Sequence, residues 1–291
     1  MSAGRFDHIV VVDWSARATP SPKAPTKDAI FIAHSAHGAT PQVSYYRTRT
    51  DAMAALEQVM TDTLVRDERI LATFDFSFAY PAGFAQHLTG KADALSVWPL
   101  FAQMVKDGPD NANNRFDVAR ALNRRFPGVG PFWCVPKTQA CPDLPARDLR
   151  QGHHLPERRK VELAYGKMQP GWKLYTTGSV GSQAILGIAR LQSLRGRFGS
   201  ALAVAPYDGI ERPIVLAECW PSLMAKEIAH YALAGEIPDA AQVRVIAAGL
   251  AALAPDDLAK MLVDGDAEEG GVLGAGHEAL LRSAIHAALG P

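Results

Sequence analysis

His8-Ile-Val-Val-Val-Asp13-Trp14-Ser15-Ala16 is the stretch that decides the fold. Ile9 to Val12 are four β-branched residues in a row with no polar alternation, which reads as a strand buried on both faces in the middle of a mixed or parallel sheet. The acid that follows is awkward for a purely structural role, because burying a charge without a partner costs several kcal/mol. Outward from this strand, Ala16 to Lys27 carries three prolines and is a loop. Ala29 to His34 and Gln42 to Arg47 read as two further strands joined by a turn over Gly38 to Pro41. Asp51 to Arg66 places Met53, Leu56, Met60 and Leu64 at helical spacing, and Ile70 to Phe74 returns as an apolar strand followed by Asp75. The order is βββαβ.

Beyond Asp75 the pattern weakens. Ten prolines punctuate residues 76–171, which predicts a long insertion with a few helices, packed on the sheet edge. Ser182 to Arg195 is a predicted helix with Ile185, Ile188, Leu191 and Leu194 on one side. Ile214 to Ala217 is a strand ending at Glu218. Ala240 to Leu253 is an Ala-rich helix with Asp239 as its expected N-cap. A last helix is expected near His277 to Leu289. The expectation is one α/β domain over residues 1–291, a mixed five-stranded sheet flanked by helices, with the insertion at about 76–171 and a C-terminal helical extension at about 255–291.

Composition bounds the function. The 291 residues are 48% hydrophobic and 21% charged, enough for a sizeable core, and 30 Lys plus Arg balance 30 Asp plus Glu. That balance removes the global basic field that favours indiscriminate binding to long duplexes. It hides unlike parts, however. Residues 115–160 hold ten basic residues against four acidic ones, and residues 255–291 hold seven acidic against two basic. Three cysteines (Cys134, Cys141, Cys219) without a metal-ligand spacing fit free thiols in a reducing, cytoplasmic setting. No stretch approaches the length of a membrane span, so no membrane partner is expected.

Three strands end, or nearly end, in a carboxylate: Asp13 after IVVV, Asp75 after ILATF and Glu218 after IVLA, with Asp239 opening the next helix. Side chains at the ends of neighbouring strands project into one crevice. Acids gathered there raise one another's pKa and are commonly reconciled by a divalent cation with oxygen ligands.

VVVDWSA, FDFSFAYP, LAECWPSL and PDAAQV together resemble a bacterial family of predicted RNase H-like nucleases. The resemblance covers the strands and the 239–253 helix, about half the chain. It implies an RNase H-like fold and hydrolysis of a phosphodiester in a nucleic acid or nucleotide. It also implies Mg²⁺ or Mn²⁺ held by Asp13, Asp75, Glu218 and Asp239. One departure is Gln242, where relatives often carry a second helix aspartate. Asp264 and Asp266, in an acidic turn, are the fallback ligands.

Other residues bear on a phosphate-containing ligand. TTGSVGSQ (176–183) is a small-residue turn entering a helix, an arrangement that offers free backbone N–H groups to phosphate, with Ser179, Ser182 and Gln183 as the residues to test. It lacks the P-loop lysine. Ser15, beside Asp13, and Arg158 and Arg159, in the basic stretch, are further candidate phosphate contacts. Two rivals remain open. An actin-like or sugar-kinase-type phosphotransferase would use TTGSVGSQ for ATP, although such proteins normally need two domains. A non-catalytic binding module of the same fold would keep the acids as remnants, which Gln242 permits.

Overall fold

The computed structural model describes residues 4–290. Six strands form one mixed sheet: β1 (His8–Asp13), β2 (Ile30–Ala36), β3 (Gln42–Tyr46), β4 (Ile70–Phe74), β5 (Leu202–Val204) and β6 (Ile214–Glu218). Their spatial order is β3-β2-β1-β4-β6-β5. β1, β2 and β3 pair antiparallel, whereas β1 with β4, β4 with β6 and β6 with β5 pair parallel. The sixth strand is β5, only three residues long, where the sequence predicted five strands.

Ten α-helices follow the chain around this sheet. They are α1 (Arg49–Val65), α2 (Phe84–Thr89), α3 (Trp98–Met104), α4 (Arg115–Asn123), α5 (Lys160–Ala164), α6 (Gly181–Phe198), α7 (Ala225–Tyr231), α8 (Pro238–Ala252), α9 (Pro255–Val263) and α10 (Glu278–Leu289). Thr48 caps α1 by accepting the Asp51 N–H at 3.1 Å, so the helix begins one residue after a good capping side chain. Helix α8 begins at Pro238, at a position suited to a residue without an N–H. Asp239 therefore sits in its first turn and Ile237 is the cap residue.

Because β1 side chains alternate, Val10 and Val12 face one core and Ile9 and Val11 the other. The first core takes Met53, Leu56 and Met60 of α1, Trp98 and Phe101 of α3, Val118 and Leu122 of α4, and Ile185, Ile188 and Leu191 of α6. The second takes Val243, Ile246 and Leu250 of α8, Met261 of α9 and Leu281 and Ile285 of α10. The insertion thus packs over a sheet face through Phe76, Phe78, Tyr80, Phe84, Phe132 and Trp172, rather than along the edge. Among the described residues, no helix is long and apolar enough to cross a membrane.

Gly187 is what lets α6 lie against the insertion. A Cβ there would stand 2.1 Å from the Phe76 ring, with Phe76 itself 1% exposed. Gly187→Ala is expected to lower stability by about 1–3 kcal/mol, the usual penalty for overpacking a filled core. Chemical denaturation of the two proteins measures it, and an unchanged midpoint would contradict this packing.

Candidate functional site

The sheet register decides which strand-end acids meet. Val12 lies opposite Phe74 on β4, and Phe74 opposite Glu218 on β6. Laterally paired residues of a sheet point to the same face, so Val12, Phe74 and Glu218 share one face. One residue further on, Asp13, Asp75 and Cys219 turn to the other, beneath α8. The backbone ladder continues that far, with the Asp75 N–H donating to Val12 and the Cys219 N–H to Phe74.

Asp13, Asp75 and Asp239 are brought together. Asp13 is 7% exposed and its Oδ2 accepts the Gln242 side-chain amide at 3.2 Å. Asp75 Oδ1 accepts the Trp14 N–H at 2.8 Å, and Asp239 Oδ2 accepts the Asp28 N–H at 2.6 Å. Gln242 follows Asp239 by three positions, so both project from the same side of the first turn of α8. Burial pushes the Asp13 carboxyl well above the usual range, and the charges of Asp75, Asp239 and Asp28 push it further. Burial also raises Asp75 to about 7, with Asp239 adding to it against two backbone hydrogen bonds. Asp239 is raised by burial and by Asp28, with the Asp28 N–H and Lys27 opposing. Among the described residues no Lys, Arg or His forms an ion pair with any of the three. Such a set of acids favours a cation from solution.

Glu218 does not join them. Arg159 clasps it through two hydrogen bonds, Nη2 to Oε1 at 2.6 Å and Nη1 to Oε2 at 2.9 Å, and the Phe78 N–H donates to Oε2 at 2.8 Å. Arg159 is fully buried and also donates to Glu162 Oε1, Ser77 Oγ and the Glu269 carbonyl. Both expectations are therefore corrected: Glu218 is spent on an internal ion pair rather than on a metal, and Arg159 is unavailable to phosphate. The fallback acids are likewise occupied elsewhere. Asp266 holds Lys160 Nζ and the N–H groups of Glu268 and Glu269, which bring its carboxyl down to about 2. Asp264 lies 3.3 Å from His277.

No family model, no curated protein and no solved structure matches this chain.

The phosphate candidates divide. Gln183, in the first turn of α6, donates to the Trp14 carbonyl, which sets the TTGSVGSQ turn beside the residue that follows Asp13. The hydroxyls are engaged locally: Ser15 donates to the Asp28 carbonyl at 2.8 Å, Ser182 to the Leu174 carbonyl at 2.6 Å and Ser179 to the Tyr175 carbonyl. Arg158 donates to the carbonyls of Gly166 and Met168. Arg115, which the sequence did not single out, is the cation at the α6 N-terminus. Its Nε donates to Ser182 Oγ at 3.0 Å and its Nη1 to Asn113 Oδ1 at 2.8 Å. No carboxylate among the described residues pairs with it, and burial, then Arg49, lowers its pKa to about 10. Asp28, in an exposed left-handed turn at φ +58°, was equally silent in the sequence. Two surface cavities, of about 700 and 740 Å³, are lined by residues around Cys141 and around Trp220, and none of the three aspartates lines either.

Proposed function

We propose that this chain is a divalent-metal-dependent phosphodiester hydrolase of RNase H-like fold, with Asp13, Asp75 and Asp239 as its metal-binding acids. The observation that carries this is the meeting of three carboxylates from β1, β4 and α8 with no cationic side chain paired to them. The donor set is all oxygen, which suits Mg²⁺ or Mn²⁺. Their oxygens form no trio within 4.8 Å, so an ion there would be held directly by one or two of the three acids and through its own waters by the rest. Bound there, the cation supplies positive charge to a phosphoryl oxygen and makes a water acidic enough to attack phosphorus.

The chain's own groups do the rest. Asp13, most buried of the three, anchors the site, and Gln242 fixes the orientation of its carboxylate without adding charge. The α6 N-terminus, held next to Trp14 by Gln183, offers backbone N–H groups to a phosphate of the substrate, with Arg115 at Ser182 in the same turn. The single sheet with one helical layer on each face favours this over the kinase-type reading, which calls for two such domains.

Purified protein with Mn²⁺ or Mg²⁺ is to be tested on single strands, duplexes, branched DNA and small nucleotides. Cleavage that needs the cation and is lost in Asp13→Asn is expected. No cleavage of any substrate, together with no effect of either cation on melting temperature, overturns the reading.

A further inference from the structure

The other end of β1 carries a second cluster of different chemistry. His8 opens the strand five residues before Asp13, so the two sites stand roughly 16 Å apart along it at about 3.3 Å per residue. His8 Nε2 lies 2.7 Å from Glu68 Oε2, and His37 Nε2 lies 3.3 Å from Glu68 Oε1. One ligand atom from each of His8, His37 and Glu68 falls within 4.8 Å of the others, the one such trio of His, Cys, Asp or Glu among the described residues. Behind His8, its Nδ1 meets His34 Nε2 at 3.0 Å.

We propose that His8, His37 and Glu68 form a Zn²⁺ site, with His34 as the group that fixes the His8 ring. Two imidazoles and one carboxylate are a ligand set that zinc takes readily in tetrahedral geometry. Zn–N and Zn–O bonds of about 2.0–2.1 Å put tetrahedral ligand atoms roughly 3.3 Å apart. The His37–Glu68 spacing already has this value. His8 lies nearest the other carboxylate oxygen, Oε2, so binding through a single oxygen needs only a turn of the Glu68 carboxylate, the three ligand atoms already being within 4.8 Å of one another. A metal-bound imidazole usually gives its second ring N–H to an acceptor, which fixes the tautomer. Without a metal the 2.7 Å contact has His8 Nε2–H donating to Glu68; with Zn²⁺ bound, the His8 proton would sit on Nδ1 and be given to His34 Nε2, which frees the Nε2 lone pair for the ion.

The burial gradient supplies both a base and an entrance. His8 is 2% exposed, while the His37 side chain is 59% exposed and Glu68 20%. The three ligands come from the start of β1, the β2–β3 turn and the α1–β4 turn, so one ion would staple three chain segments at that end of the sheet. Three protein ligands leave the fourth position to water.

The test is titration of metal-stripped full-length protein with ZnCl₂, followed by calorimetry and native mass spectrometry. One Zn²⁺ per chain is expected, retained in excess Mg²⁺. His37→Asn and Glu68→Gln should each weaken binding at least tenfold, and His34→Gln about tenfold. Asparagine tolerates the left-handed backbone at residue 37, φ +51°, so His37→Asn keeps the fold, as circular dichroism can verify. Asp13→Asn should bind Zn²⁺ as the parent does, which separates this site from the aspartates. Absence of a stoichiometric Zn²⁺, or equal binding by the parent and the folded His37→Asn and Glu68→Gln variants, overturns the proposal.

Discussion

Arg159→Met is expected to destabilise the fold by about 3–5 kcal/mol, the loss typical when one partner of a buried ion pair is removed. Met fills much of the space but leaves Glu218 and Glu162 facing each other with their shared cation gone. Arg159 and both carboxylates are at most 4% exposed, so solvent does little to soften that loss. The two glutamates hold the guanidinium firmly protonated, since their attraction outweighs burial. Arg159→Lys should recover only part of the stability, because an ammonium cannot make the forked contact with Glu218. In Arg159→Met with Glu218→Gln, one orphaned charge is removed and the double variant should lose less than the sum of the two singles. Denaturant midpoints measure all four. A loss under about 1 kcal/mol in Arg159→Met would show that the buried network does not hold the insertion to the sheet. Glu218→Gln should also leave any Mn²⁺-induced rise in melting temperature intact, because Glu218 faces away from the aspartates.

The misplacement of Glu218 shows where sequence reasoning stopped. Runs of β-branched residues made β1, β2, β4 and β6 legible, and the apolar spacing of α1, α6 and α8 made those helices legible to within a few residues. An acid after each strand looked like one recurring feature. Counted from the strand start it is two: Asp13 is the sixth residue from His8 and Asp75 the sixth from Ile70, but Glu218 is the fifth from Ile214. With Ile70 paired to Ile214, that single residue of difference turns the side chain to the opposite face. The aligned starts were visible, yet pairing between strands about 140 residues apart was not.

Arg159 was illegible for a related reason. Local sequence shows Arg158-Arg159-Lys160 as a basic run, which ordinarily lies on a solvated face. What draws Arg159 inside is Glu218 and Glu269, which are 59 and 110 positions away. β5 escaped because three residues carry no measurable periodicity. Asp28 reaches the aspartates through Asp239, and Arg115 the α6 N-terminus through Ser182, contacts that their neighbours in sequence do not signal.

Asp75→Asn is expected to oppose activity and stability, which a purely structural aspartate would not do. Hydrolysis should fall by at least about 10²–10³-fold, comparable to losing one strong electrostatic contact in the transition state. Stability should move the other way, and its sign follows from the raised pKa. The carboxyl has an ordinary value of 3.8 in the unfolded chain and about 7 in the fold. Below pH 4 both states hold the proton and Asp75 has no effect on folding. Between pH 4 and 7 the unfolded chain releases the proton while the folded chain keeps it, so stability falls as pH rises; above about 7 both are ionised and the loss is complete. A separation of this size corresponds to about 4 kcal/mol. Asparagine can still accept the Trp14 N–H through its Oδ1 but carries no charge to desolvate. At pH 4 the two proteins should therefore melt alike, and at pH 8 Asp75→Asn should be the more stable. Mg²⁺ or Mn²⁺ compensates the same buried charge, so it should raise the melting temperature of the parent most at pH 8 and that of Asp75→Asn least. A variant that is less stable than the parent at pH 8, or that keeps the parent's decline between pH 4 and 7, would mean that Asp75 is already compensated inside the protein and has no need of a cation.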